Sequence, residues 1–182
     1  MTIDRQPEGK FSLRKRMRQQ LASHDGDAGT LRTALLETIG ELEQERRIAI
    51  YSALPGEPDI TPLIEQLPRH QWLFPRVDGE RLHFHRVWEP ASQLKKGAFG
   101  IAEPVSSLPT VPCNEIDIFI CPGLAFDPHG GRLGRGRGYY DRMLAGARED
   151  ALKIGVGFGF QLMEQIELED HDVRMNAVLC RG

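Results

Sequence analysis

The sequence predicts an α/β fold: a single layered domain in which a central sheet, largely parallel or mixed, is flanked by helices. Three observations predict it. Apolar, β-branched runs such as "RIAIYSAL" and "IDIFICPG" alternate along the chain with stretches of helical periodicity. The 182 residues match one domain and can bury a core that needs neither disulfide nor metal. No internal repeat interrupts the alternation, and only one short glycine–arginine stretch departs from ordinary composition.

The elements follow in order. Residues 1–9 read as a flexible N-terminus without the apolar run of a secretory signal. From Lys10 the chain is helical: Leu13, Met17 and Leu21 recur every fourth residue, and Lys10, Arg14 and Arg18 form a second row. Four residues advance a helix by about 400°, so each row keeps to one face with slow drift. After a break at Asp25–Gly29, a second helix is predicted over about residues 30–46. "RIAIYSAL" (Arg47–Leu54) reads as a buried strand stopped by "PGEPD", and Asp59 then caps a short helix through "ITPLIEQL". "QWLFPRV" and "RLHFHRV" predict a hairpin turning at Asp78-Gly79. Trp72, Phe84 and Trp88 are expected in the core, and His83 and His85 share a strand face without a third metal ligand at telling spacing. These histidines are read as solvent-facing or substrate-lining. Residues 88–115 lack periodicity and predict a linker or a functional loop. A buried strand at 116–123, a helix at about 139–148, the strand "KIGVGFG", a short helix near 161–166 and the strand "RMNAVLC" complete the chain.

Composition excludes several functions. The net charge of −3 argues against a general nucleic-acid binder, so any basic site must be local. Cys113, Cys121 and Cys180 form no C-x-x-C pair and signal neither a zinc ribbon nor a redox dithiol. No run approaches the roughly 20 apolar residues of a membrane span. A soluble cytoplasmic protein with reduced cysteines is expected.

The chemistry concentrates in "FDPHGGRLGRGRGYYDRML", Phe126 to Leu144, where Gly130–Gly138 holds five glycines and three arginines. A disordered RNA-binding tract would be longer and would lack the flanking "PGLAF" and amphipathic "YYDRML". The Rossmann fingerprint and the P-loop both require other spacings. A plain surface turn would not need so many glycines, each of which loses backbone entropy on ordering. A polyphosphate cradle uses every part. Glycines turn backbone N–H groups inward, arginine forks pair with phosphate oxygens, and a helix beginning near Tyr139 faces the same place. A hydrogen bond to a charged group contributes about 1.5–3 kcal/mol against roughly 0.3–1 kcal/mol for a helix terminus. Arg132, Arg135 and Arg137 are therefore expected to dominate affinity. Asp141 beside phosphates implies a cation, and Mg²⁺ is commonly held by one or two carboxylates plus phosphate oxygens. The pattern reads as an Mg–nucleotide site.

"PGLAFDPHGGRLGRGRGYYDRML" resembles the hallmark of the 5-formyltetrahydrofolate cyclo-ligase family, also called 5,10-methenyltetrahydrofolate synthetases. "KFSLRKRMR" resembles that family's N-terminal K-x-x-x-R helix, "YSALPGEPD" its first strand and acidic turn, and "GIAEP" its mid-chain signature. These landmarks keep family order from Lys10 to about Leu179. The resemblance implies one cyclo-ligase domain over residues 1–182, with the layered fold of NagB/RpiA/CoA-transferase-like proteins. It implies a ligase forming a C–N bond, which converts 5-formyltetrahydrofolate to 5,10-methenyltetrahydrofolate with ATP as co-substrate and Mg²⁺ as cofactor. A monomer binding neither nucleic acid nor membrane is expected.

The resemblance also implies roles. ATP contacts fall on Lys10, Arg14, Arg132, Leu133, Gly134, Arg135, Gly136, Arg137, Gly138, Tyr139 and Tyr140, with Arg18 expected in solvent. Folate contacts fall on Ser52, Glu57, Arg135, Gly136, Arg137, Gly138 and Tyr139, and the Glu57 carboxylate is expected to accept two adjacent pterin N–H donors. Asp141 matches the magnesium ligand. Asn176 stands where some relatives carry a second aspartate, with Asp172 as an alternative acid nearby. No covalent catalytic residue is expected; Arg135 acts as charge stabiliser, and His129 has no assigned role. The rival reading is a non-catalytic nucleotide- or RNA-binding protein that uses the glycine–arginine loop as an anion site.

Overall fold

The computed structural model describes residues 9–97 and 100–182. Apart from Gly9, the segment expected to be flexible therefore lies outside the described residues. Chain order runs α1 (Lys10–Ala22), α2 (Gly29–Ile39), β1 (Arg47–Ala49), α3 (Leu63–Gln66), β2 (Gln71–Asp78), β3 (Arg81–Arg86), α4 (Pro90–Gln93) and β4 (Leu94–Lys96). It continues with β5 (Ala102–Pro104), β6 (Thr110–Val111), β7 (Ile118–Pro122), β8 (Ala125–Phe126), β9 (Arg132–Leu133), α5 (Tyr139–Leu144), β10 (Leu152–Phe158) and β11 (Ala177–Arg181).

Seven strands form a mixed sheet in the order β11-β10-β7-β1-β2-β3-β6. The five from β11 to β2 run parallel, and β3 and β6 add antiparallel. Alternation along the central strands explains why: both faces are apolar, as a sheet covered on two sides requires. Ile48, Trp72, Phe74, Ile118, Ile120 and Ile154 face the layer of α2 and α3, including Leu31, Leu35 and Leu63. Ala49, Leu73, Phe119 and Cys121 face the opposite layer, which holds Met143 and Leu144 of α5. A third cluster sits beyond the sheet, where Leu13, Met17 and Leu21 of α1 pack on Leu124, Ala125 and Leu133 of the β8–β9 hairpin. Each such burial contributes about 1.5–3 kcal/mol, and together they dock α1 against the glycine–arginine loop.

The chain leaves β1 outward to β2 and later returns to β7 on β1's other side. The strand order therefore reverses between β1 and β7. In open α/β sheets a crevice forms outside the carboxyl ends at that point.

Several elements differ from expectation. The second helix stops at Ile39, because Gly40 closes it with its N–H on Leu36 O and the following "ELEQER" carries no apolar stripe. β1 pairs over only three residues; beyond it Tyr51 and Ser52 turn towards other partners. The hairpin turn is Gly79-Glu80, since Asp78 pairs with Arg81. α5 covers six residues, and the helix expected near 161–166 is a single 3₁₀ turn at Gly159–Gln161. The stretch 88–115 contains α4, the β4–β5 hairpin and β6; strands of two or three residues are too short to show a period. Trp72 and Phe84 are buried, but Trp88 is 60% exposed. His85 is buried with Nδ1 2.9 Å from Leu108 O, whereas the His83 side chain is half-exposed. The three cysteines are free thiols, and burial pushes Cys113 and Cys180 up to about 11 and Cys121 to about 12. No helix among the described residues is long and apolar enough to cross a membrane.

Candidate active site

A cavity of about 420 Å³ opens at the carboxyl ends of β1, β2 and β7. This is within the usual range for small-molecule sites. One wall is the segment 130–138, which includes β9 and enters α5. Asp127 shapes its base: this carboxylate, 1% exposed, accepts the backbone N–H groups of His129, Gly131 and Ile166, each at 2.8 Å. Further along, Gly136 and Gly138 take φ of 98° and 65°, the left-handed region that side chains resist. The chain thus curls into α5 with Asp141 in its first turn.

The basic row of α1 runs beside this loop. Arg14 Nε donates to Gly134 O at 3.2 Å and Arg18 Nη2 to Arg135 O at 2.6 Å. Arg18, expected in solvent, is exposed and also lines the cavity. The i, i+4 row that links it to Arg14 was the signal. One turn earlier, Lys10 Nζ lies 2.8 Å from both Glu169 and Asp172 and is not among the lining residues. Burial alone would lower the Lys10 pKa, but its two carboxylates raise it.

Two arginine–carboxylate pairs cross the cavity. Arg132 Nη2 sits 2.7 Å from Asp141 Oδ1, with the guanidinium stacked 5.4 Å from the Tyr140 ring centroid. The Arg132 side chain is only 3% exposed and its Nε has no hydrogen-bond partner. It is a buried strut more than an open phosphate hook. Arg135 reaches across the cavity to Glu57, placing Nε and Nη2 3.0 and 2.6 Å from Oε1, while Leu54 N donates to Oε2 at 3.0 Å. Glu57, on the loop after β1, is thereby joined to a residue 78 positions away in sequence.

The other expected residues divide. Gly134, Arg137, Gly138, Tyr139 and Tyr140 line the cavity, and Tyr139 Oη donates to Gly79 O at 3.2 Å. Leu133 is buried in the α1 contact and serves as an anchor. Ser52 lines the cavity with its hydroxyl on Ala102 O at 2.6 Å. Burial, reinforced by the charge of Glu57, holds the phenols of Tyr51 and Tyr140 well above their ordinary pKa, so both remain neutral. Asn176 lies elsewhere: its Oδ1 accepts Lys153 N at 2.8 Å, at the amino end of β11. Among the lining residues missed in the sequence, Tyr51 and Glu103 carry ionisable side chains. Glu103 is the acid of "GIAEP", whose burial no periodicity could reveal.

The donor set bears on a metal. Among the described residues no three His, Cys, Asp or Glu side chains form a cage. Asp141 alone, with Oδ1 committed to Arg132, fits a hydrated Mg²⁺ carried in on phosphate oxygens.

Comparisons with known proteins show the family of the chain. The model of the 5-formyltetrahydrofolate cyclo-ligase family matches residues 6–181. The 5-formyltetrahydrofolate cyclo-ligase of Escherichia coli K12 is 30% identical over 175 residues, covering 92% of this chain and 95% of that protein. Its counterpart in Mycolicibacterium smegmatis is 33% identical over 186 residues, covering 95% and 94%. The NMR structure of Aquifex aeolicus 5,10-methenyltetrahydrofolate synthetase superposes with a TM-score of 0.77 at 31% identity, covering 93% of this chain and 88% of that one. The matches span both walls of the cavity, and the chain belongs to the 5-formyltetrahydrofolate cyclo-ligase family of enzymes.

Proposed function

We propose that this cavity closes the imidazoline ring of 5-formyltetrahydrofolate at the expense of ATP, giving 5,10-methenyltetrahydrofolate, ADP and phosphate. The formyl carbonyl is an amide and too unreactive for N10 to displace its oxygen directly. Transfer of the γ-phosphoryl group to that oxygen makes it a leaving group. N10 then attacks the formyl carbon, loses its proton, and phosphate departs with the oxygen.

Such chemistry needs positioning and charge neutralisation more than a nucleophilic side chain. The observation that carries the reading is the meeting of Glu57 and Arg135 in one cavity, with Arg132–Asp141 beside them. Arg135 is 38% exposed and its backbone is fixed by Arg18, so its guanidinium can meet the transferring phosphoryl group while Nε and Nη2 stay on Glu57. Arg14, Arg137 and the backbone of 134–138 hold the remaining phosphates. Lys10 reaches them by exchanging Glu169 or Asp172 for phosphate. Glu57 and Ser52 face the folate, and Tyr139 and Tyr140 supply neutral walls. Asp141 would hold Mg²⁺, which neutralises phosphate charge when bound; Arg132 fixes which carboxylate oxygen is left for it.

An anion sensor would have no use for Glu57 opposite the arginines. The test combines purified protein, 5-formyltetrahydrofolate, Mg²⁺ and ATP and follows the methenyl chromophore. ATP-dependent product is expected; no product, or product without ATP, overturns the reading.

A further inference from the structure

We propose that Glu103, on β5, is a specificity-determining residue that receives the 2-amino and N3–H donors of the substrate's pteridine ring. This rests on the folate reading of the cavity. The Glu103 side chain is 5% exposed and lines the cavity opposite the arginine loop. A carboxylate taken out of water needs a cation or several donors, or its desolvation is uncompensated. Among the described residues Glu103 has only a weak form of each. Its one hydrogen bond, from Val77 N, is long at 3.3 Å, and the one basic group within reach, Arg76, stands 4.0 Å from Oε2.

The rest of the strand is firmly held. Ser52 Oγ donates to Ala102 O at 2.6 Å, and Arg76 Nη1 donates to Pro104 O at 2.8 Å. β2 continues to Asp78 past Leu73, its last partner on β1, and Glu103 docks on that uncovered edge. Gly97 passes so close that a Cβ there would lie 2.3 Å from Glu103 Oε2. The carboxylate is thus preorganised, and its contacts among the described residues, one long hydrogen bond and one long ion pair, leave acceptor capacity for a ligand.

The other cavity acid is differently placed. Glu57 Oε1 takes both contacts from Arg135, and Oε2 takes Leu54 N. An ionised carboxylate has about four acceptor sites, so Glu57 retains room for one donor and not for an adjacent pair. The tetrahydropteridine presents such a pair at its 2-amino group and N3–H. The two-donor contact expected of Glu57 therefore passes to Glu103, and Glu57 aims Arg135.

Equilibrium binding of 5-formyltetrahydrofolate without ATP tests this separately from turnover. Glu103→Gln keeps the volume, so thermal unfolding should hold steady. Its Kd for 5-formyltetrahydrofolate should rise by about 10- to 150-fold, as the loss of a charge-assisted hydrogen bond implies, with KM for ATP unchanged. A 2-desamino-2-methyl analogue needs no variant: the parent should bind it far more weakly than the natural substrate, and Glu103→Gln should narrow that gap. Unaltered folate affinity in Glu103→Gln overturns the assignment, as does an equal loss for ATP and folate or an analogue penalty that persists in the variant. If the parent binds folate through Glu103 but makes no methenyl product, the ring-closing reading fails and this assignment stands.

Discussion

The two ends of the sheet carry the same chemistry in different surroundings. At the amino ends of β1 and β7, a second cavity of about 290 Å³ is lined by Arg47, Glu115, Asp117 and Arg148. Arg47 pairs with Glu115, and Arg148 pairs with Asp117 at 3.0 Å. At the carboxyl ends, Arg132 pairs with Asp141 and Arg135 with Glu57. The difference is water. Arg47 and Glu115 are 39% and 47% exposed, whereas Arg132 is 3% and Glu57 4% exposed. A pair in water is screened and loses side-chain entropy; a pair under protein acts at lower dielectric and fixes orientation. The connections 50–62 after β1 and 123–138 after β7 supply Glu57 and Arg132 and cover the carboxyl end.

Removing Arg132 should break this contrast most sharply. Arg132→Ala leaves Asp141 without its cation, and loss of one partner of a buried pair costs about 3–5 kcal/mol. The urea midpoint should fall accordingly at constant slope. A loss under about 1 kcal/mol would mean that the pair is as weak as those at the amino end.

Arg135→Ala should separate function from stability. The arginine is 38% exposed, and its removal opens Glu57 to cavity water, so the stability loss should stay below that of Arg132→Ala. The affinity for ATP should fall by about 10- to 150-fold, equivalent to about 1.5–3 kcal/mol for a hydrogen bond to a charged group. Steady-state kinetics over an ATP series measure it. A collapse in thermal stability with little change in KM would make Arg135 a structural strut like Arg132.

The ends also differ in how well they could be read. The parallel strands announced themselves because both faces are apolar: Ile118, Phe119, Ile120 and Cys121 form one unbroken run. The loop was legible because five glycines and three arginines in nine residues have few structural uses. What escaped depends on partners distant in sequence. Arg132 and Arg135 looked alike, yet one is a buried strut and the other spans the cavity to Glu57. Arg18 is exposed, and it reaches Arg135 O at the cavity only because Met17 and Leu21 dock α1 on the β8–β9 hairpin. Glu103 sits on a three-residue strand inside a segment without period, and only tertiary packing buries it. The end of α2 was misread because the glycine at Gly40, a local stop signal, was passed over.

The Lys10 cluster lies between the two extremes and offers a pH test. Burial works against ionised Asp172, but the Glu169 backbone N–H and the Lys10 ammonium hold its carboxyl below its ordinary value; Lys10 likewise lowers Glu169. A depressed carboxylate contributes stability that is present above its unfolded pKa and lost as pH falls through the folded one. The raised Lys10 contributes stability that is present below its unfolded pKa and lost as pH rises through the folded one. The stability difference between the parent and Lys10→Met should therefore be flat between about pH 4.5 and 10 and shrink beyond either limit. A steady decline across the neutral range would point to a different partner for Lys10.

Glu115→Ala should do least, and that makes it informative. An exposed ion pair contributes about 0.2–1 kcal/mol, and charges within reach of solvent are screened as the Debye length falls from about 10 Å at 0.1 M to 3 Å at 1 M salt. The urea midpoint of the variant should sit just below the parent's at low salt and merge with it at high salt. Turnover should be unchanged, because the sheet separates Arg47 from Arg135 and the intervening strands pack apolar side chains on both faces. A turnover loss comparable to that of Arg135→Ala would mean that the amino-end charges are felt across the sheet. The two ends would then differ in exposure but not in role.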